Sequence, residues 1–199
     1  MARADPLDVR GGLIDRLLVT RAPAPLRLRQ LTPEDADAFA RHVAADRAHL
    51  REHLPWADLA AEPEGARDWL EAYATGRDGR VVVAGAFDGT TIVAGALLLH
   101  HDPPAAAVEL GCWATAAVQG LGVARAASEV LIACASAGLA VERIAWHCTT
   151  ANSRSRALAE RLGFRYEGTL RSAYVLHGVR HDLDVLSLVG AELDGFAQR

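Results

Sequence analysis

The stretch "VQGLGVARAA" sets Gly120 and Gly122 directly before a run with helical periodicity. A turn that ends a strand and feeds a helix leaves backbone N–H groups unpaired at the positive end of the helix dipole, which makes an anion site. The two glycines carry no side chain to obstruct a phosphate, and both tolerate positive φ. Three readings of this turn stand side by side. A dinucleotide-binding turn calls for Gly-x-Gly-x-x-Gly, but the third position is Arg125, and Glu142, at a suitable distance, precedes its strand instead of following it. A P-loop calls for lysine, which the chain lacks. The third is a turn that only closes a loop. Upstream, Glu109 interrupts the apolar run "AVELGCW". A carboxylate there serves either as a base that holds a water for proton relay or as an edge-strand group facing solvent or an arginine.

Composition narrows the chemistry. The 199 residues, 51% hydrophobic and 23% charged, suit one compact α/β domain. All 21 basic residues are arginine, which removes Schiff-base and lysine-gripped phosphate mechanisms. The Arg, Ala, Gly and Val bias matches a GC-rich bacterial genome. A net charge of -4 without a basic cluster gives no footprint for nucleic acid or an anionic membrane. Cys112, Cys134 and Cys148 are odd in number and each lies in an apolar run, as buried reduced thiols of a cytoplasmic protein do. The start "MARADPLDVRGG" does not read as a signal peptide, and "IVAGALLLH" is far shorter than a membrane span.

The elements that must position these groups follow from periodicity. "LIDRLLVTRAPAPLRLRQL" reads as an initial strand pair, and Thr32-Pro33-Glu34-Asp35 as a helix start. Helical pattern continues over Arg47–Leu54, breaks at Pro55, and returns from Pro63 to Ala74 before the turn "TGRDG". "RVVVAGAF", "TIVAGALLLH" and "AVELGCW" predict an antiparallel meander. Val123, Ala126, Ala127, Val130, Leu131 and Cys134 recur at helical spacing, with Gly138 as the stop. Then come strand "RIAWHCT", helix "SRSRALAERL", strand "FRYEGTLR" and, after "LHGVR", strand "HDLDVLSLV". This order predicts a mixed, mostly antiparallel α/β (α+β) sheet with helices on both faces, in one domain.

The ordered run "ELGCWATAAVQGLGVARAASEVL" followed by "RIAWHCTTANSRSRALAERLGFRYEGTLR" resembles the GNAT superfamily of acyl-CoA-dependent N-acyltransferases. Within it the chain looks most like the branch of ribosomal-protein N-terminal acetyltransferases. The match rests on Glu109, Gly111, Trp113, Gln119, Gly120, Gly122, Ala124, Asn152, Ser155, "LGF", "EG" and the distal "HG..HD", and spans roughly residues 26–188 of the chain.

The resemblance implies that the central sheet splays between "AVELGCW" and "RIAWHCT" to admit acetyl-CoA. Its diphosphate would lie on the backbone N–H groups of Gln119, Gly120, Leu121, Gly122, Val123 and Ala124. Strand N–H groups at Trp113 and Ala114 would hold the pantetheine arm and polarise the thioester carbonyl. Glu109 would be the general base, and Asn152 would cap its helix and touch the pantetheine. Ser155 would protonate the leaving thiolate, since the tyrosine that many members use for this is replaced by Ala159. As alternatives, Ser155 simply occupies a first helical turn, and Trp56 simply joins the core. On the acceptor side the resemblance implies Trp56 and Tyr174.

The acceptor implied is a primary amine, either a protein N terminus or a small molecule such as an antibiotic. An α-amino group with a pKa near ~8 is already about a tenth neutral at neutral pH and needs only modest help from a base. Succinyl-CoA is the alternative donor, and a non-catalytic acyl-CoA binder the alternative class. A homodimer paired through the late strands is a further implication. The pairs His100/His101 and His177/His181 lack a metal spacing and read as surface histidines at turns, so no metal is expected.

Overall fold

A computed structural model describes residues 15–18, 20–74 and 82–197. The expected "TGRDG" turn and the first 14 residues lie outside them. Among the described residues, eight strands form one sheet in the order β1-β2-β3-β4-β5-β6-β8-β7. They are β1 (Asp15–Leu18), β2 (Leu26–Gln30), β3 (Val82–Asp88), β4 (Thr91–Asp102), β5 (Ala107–Ala114), β6 (Arg143–Thr149), β7 (Arg165–Leu176) and β8 (Val179–Val189). Every neighbouring pair is antiparallel except β5–β6. A parallel pair needs a crossover, and α4 (Val123–Gly138) supplies it.

Side chains alternate across a strand, so the sheet has two differently clad faces. On one, Val108 and Leu110 of β5 and Ile144, Trp146 and Cys148 of β6 pack with Val123, Ala126, Ala127, Leu131, Ile132 and Ala135 of α4. The alanines let the helix lie close to the strands. On the other, Val83, Leu97 and Trp113 pack with α1 (Ala36–Ala45) and α3 (Pro63–Ala74) through Phe39, Val43, Ala66, Trp69 and Leu70.

Most expected elements appear with their expected bounds. The exception is the segment after α1. Helical pattern over Arg47–Leu54 resolves into a single turn, α2 (Arg47–Leu50), followed by a 3-10 turn at Pro55–Asp58, because Asp46 leaves helical geometry at φ -130° and Pro55 cannot donate. The last helices are α5 (Ser153–Arg161) and the short α6 (Asp194–Ala197). Among the described residues no helix is long and apolar enough to cross a membrane.

Candidate active site

The parallel ladder between β5 and β6 has three rungs, Ala107–Arg143, Val108–Ile144 and Glu109–Ala145, and then stops. Beyond it β5 remains paired with β4 up to Ala114, and β6 with β8 up to Thr149, so the two middle strands diverge as a fork. A cleft of about 1200 Å³ opens there, lined by Cys112, Trp113, Ala114, Gln119, Gly122, Asn152 and Ser155 among others.

The direction of the free backbone groups in the fork follows from ladder phase. Thr115 N–H donates to Val93 O at 3.0 Å, opposite it in the β4–β5 register. Hydrogen-bonded pairs alternate along an antiparallel ladder, so Trp113 shares that phase and its N–H faces Gly95 on β4. Arg143 N–H donates to Ala106 O at 3.1 Å, which confirms that the even-numbered residues of β5 face β6. The expected donor pair of Trp113 and Ala114 is therefore corrected to Cys112 and Ala114. The Trp113 indole is also committed elsewhere: it donates to His42 Nε2 at 2.9 Å inside the second core.

At the mouth of the cleft, Gly120 (φ 75°) and Gly122 (φ 84°) both adopt left-handed backbone, and a Cβ added to either meets nothing within 4 Å. The glycines are thus required by conformation and leave an open cradle at the start of α4. Leu121, Val123 and Ala124 complete the turn: Leu121 N–H is used by Val118 O, while Val123 is buried and Ala124 lines the cleft. Gln119 spans the opening, with its amide nitrogen 2.6 Å from His49 Nε2 and its carbonyl accepting from Arg154.

Ser155 sits in the first turn of α5. Its N–H donates to Asn152 Oδ1 at 3.1 Å, so Asn152 is the helix cap, and its hydroxyl accepts from the Trp146 indole at 2.9 Å. With one lone pair so engaged, the hydroxyl retains a proton to donate, and it also hydrogen-bonds the Cys148 thiol. Ser155 belongs to the face of the sheet that carries Trp146 and α4.

Glu109 points to the opposite face, the one shared by Trp113. Its side chain is 19% exposed, and its Oε2 meets both His147 Nδ1 and His100 Nδ1 at 3.0 Å. Burial pushes the carboxyl up, but hydrogen bonds and charge from His147 and His100 outweigh burial and hold it below its ordinary value. Reciprocally, the Glu109 contact raises the His147 imidazole above its ordinary value against the pull of burial. The solvent-facing alternative for Glu109 is thus set aside.

His100 is a surface histidine as expected, its side chain 74% exposed, yet its Nδ1 also meets Glu109. The β4–β5 register slips between Leu99 and Asp102, so that His100 and His101 face Val108 alone, and His100 takes φ 53°. A left-handed backbone costs a non-glycine residue on the order of 1 kcal/mol, and a bulge re-aims a side chain. Here it turns the imidazole to Glu109. His177, at the β7–β8 turn, also has a partner: its Nε2 lies 2.7 Å from Arg51 O, tying that hairpin to the segment after α2.

Tyr174 is half-buried on β7, and burial and then the Glu109 and Tyr73 charges raise its phenol. Tyr174 thus lies within electrostatic reach of Glu109. Trp56 stacks on Phe39 at 5.6 Å, lies tilted against Trp69 at 4.9 Å and meets Trp113 edge-on at 5.6 Å. It is half-buried at the rim of this aromatic cluster, a packing role that leaves only its outer edge to a ligand. None of the three cysteines forms a disulfide; Cys148 is buried, whereas Cys112 and Cys134 are half-buried, short of the full burial expected. Burial pushes the Cys112 thiol up to about 12 despite a Ser128 hydrogen bond, so it is a poor nucleophile in the fork.

His147 was not legible as a site residue, since a histidine in an alternating strand carries no spacing signal. The fork brings it to Glu109 only because His147 follows Ala145 by two positions on the same face of β6.

A splayed mixed sheet with an open glycine cradle at the crossover helix is the architecture against which known proteins can be compared. Residues 25–165 match the model of the acetyltransferase (GNAT) domain. YdaF of Bacillus subtilis (strain 168), provisionally named as a ribosomal N-acetyltransferase, is 31% identical over 177 residues, covering 85% of this chain and 94% of its own. Among solved structures, Mycobacterium smegmatis RimJ in complex with CoA-disulfide superposes with a TM-score of 0.79 at 22% identity, covering 90% of this chain and 88% of that one. The ribosomal L7/L12 α-N-protein acetyltransferase RimL, in complex with coenzyme A, gives 0.77 at 20% identity, covering 87% and 99%. The chain belongs to the GNAT acetyltransferase family and is an acyl-CoA-dependent N-acetyltransferase.

Proposed function

We propose that the chain, acting as a single domain with its core at about residues 26–188, transfers the acetyl group of acetyl-CoA directly to the α-amino group of a protein N terminus. The observation that carries this reading is the placement of Glu109 and Ser155 on opposite faces of the sheet with the fork between them. A thioester threaded through the fork would present its carbonyl to an amine on the Glu109 side and its sulfur to Ser155. The acceptor class follows YdaF, whose name assigns it a ribosomal substrate.

The open cradle at Gly120 and Gly122 suits a diphosphate on backbone N–H groups from Gln119 to Ala124, with Asn152 and the N–H groups of Cys112 and Ala114 along the arm. Of these, the Gln119 and Leu121 N–H groups are already engaged with Ala116 O and Val118 O, each at 3.3 Å, and would contribute least. In the reaction the amine nitrogen bonds to the acetyl carbonyl carbon while Glu109 removes a proton from the nitrogen. The developing oxyanion is stabilised by strand N–H donors. The C–S bond then breaks, its electron pair goes to sulfur, and the Ser155 hydroxyl supplies the proton. A cysteine-bound intermediate is disfavoured by the raised Cys112 thiol.

Acetyl is preferred to succinyl because the matched family model is that of the acetyltransferase (GNAT) domain. The protein would act in the cytoplasm, where ribosomal acceptors are made. The test is a panel of peptides with free or blocked α-amino groups and of small-molecule amines, each incubated with acetyl-CoA or succinyl-CoA and analysed by mass spectrometry. The expected product carries acetyl on the α-amino group of a subset of peptides. Modification of small amines alone overturns the acceptor assignment.

A further inference from the structure

Histidines from the two strands that flank β5 converge on a single oxygen of Glu109. From β6, His147 Nδ1 reaches Oε2 at 3.0 Å, and from β4, His100 Nδ1 reaches the same atom at 3.0 Å. Among the described residues Oε1 takes no hydrogen bond. Neither contact is a by-product of regular pairing. His147 lies just past the last rung of the β5–β6 ladder, and His100 is aimed by a bulge with a left-handed backbone. Strain of this kind persists where the surroundings over-determine it, often at functional sites.

We propose that His147 and His100 are positioning residues for Glu109, holding Oε2 from two sides so that Oε1 faces the acceptor amine, with His147 setting the pH at which the carboxylate becomes an effective base. The proposal rests on the reading of Glu109 as the base. The proton leaves the amine nitrogen for Oε1 as the N–C bond forms, and passes from Oε1 to water after the product departs. An imidazole with hydrogen on Nδ1 donates to Oε2 whether neutral or protonated, so the geometry is kept in both states. The basicity is not: an imidazolium at 3.0 Å lowers the proton affinity of the carboxylate, and a neutral ring restores it.

The groups that face this pair are few. Arg143 on β6 opposes a charge on His147, and Glu167 on β7 favours it. Tyr174 on β7 is raised by burial and then by the charge of the carboxylate. Because Glu109 is the largest influence on His147, its titration lies above the ordinary imidazole value of 6.5, and the rate should rise with pH through that raised value.

The test compares kcat against pH, at saturating acetyl-CoA and acceptor peptide, for the wild type, His147→Leu, His147→Asn and His100→Leu. His147→Leu should lose kcat by roughly 10²-fold with little change in KM for acetyl-CoA. His147→Asn, whose amide N–H can still reach Oε2, should recover most of kcat yet lose the pH step. His100→Leu, at an exposed site, should lower kcat by a smaller factor and leave the step in place. A readout without turnover is the NMR titration of the His147 ring, whose midpoint should fall to 6.5 or below in Glu109→Gln. A wild-type pH profile and kcat in both His147 variants overturns the clamp, as does an unmoved midpoint. A Glu109→Gln enzyme with full kcat instead overturns the base assignment itself, so the two failures are distinguishable.

Discussion

Glu109 and His147 meet at 3.0 Å across the point where β5 and β6 part, with Glu109 on the last rung and His147 two residues past it. The divergence of the strands that opens the cleft also brings the imidazole to the carboxylate. A structural consequence follows for folding. The folded-state pKa of His147 is raised, so its contribution to stability is complete below the unfolded value near 6.5 and is lost as pH rises through the folded value. Chemical denaturation should show this slope in the wild type and its loss in Glu109→Gln.

His42 has the opposite sign. Its Nδ1 donates to Ile92 O at 2.7 Å and its Nε2 accepts from Trp113, which fixes one neutral tautomer. Burial depresses it to about 4. The unfolded chain therefore binds a proton that the folded chain refuses between 6.5 and about 4, and stability drops by roughly 3 kcal/mol as pH is lowered across that window. Urea titrations of the wild type and a His42→Gln variant check it, with a flatter acid limb expected for the variant.

Gly122 tests the cradle. A Cβ there meets nothing within 4 Å, so Gly122→Val is penalised by φ 84° and by its intrusion into the cradle, not by a clash with the fold. The expected outcome is a loss of CoA affinity of roughly 10²-fold or more in calorimetry, with the far-UV circular dichroism of the wild type retained. Unchanged affinity contradicts the diphosphate site.

Gly95 is a contrasting case. An added Cβ would lie 2.2 Å from Trp113 Cζ2 and 2.6 Å from Ala84 O, and backbone cannot yield. Gly95→Ala should destabilise by on the order of 3 kcal/mol, by displacing the indole that anchors β5 to His42. Thermal denaturation measures it.

Ser155→Ala should leave CoA binding intact and lower kcat by roughly 10²-fold, because the thiolate loses its proton donor while Asn152 still caps α5. The loss should be smaller at low pH, where solvent protonates thiolate more readily. A uniform loss across pH would point to a packing role for the Ser155–Trp146 contact.

The sequence was legible where a local rule governs. Pro63 and Gly138 bound their helices because helix termini are set by nearby residues. Glu109 stood out because a carboxylate breaks an apolar strand pattern, and Asn152 because caps have a residue type. What depends on long-range register was not legible. The phase that assigns free N–H groups to Cys112 and Ala114 comes from the β4–β5 ladder. The bulge that aims His100 has no residue signature, and Trp56 joins its aromatic cluster only once α1, α3 and β5 are stacked.

The most direct measurement of the central claim is the initial rate of thiol release from acetyl-CoA with an N-terminal acceptor peptide, compared between the wild type and Glu109→Gln at matched CoA occupancy. Peptide-dependent release by the wild type, reduced by roughly 10²-fold or more in Glu109→Gln with CoA affinity unchanged, is the predicted result. Release at the wild-type rate from Glu109→Gln contradicts the account.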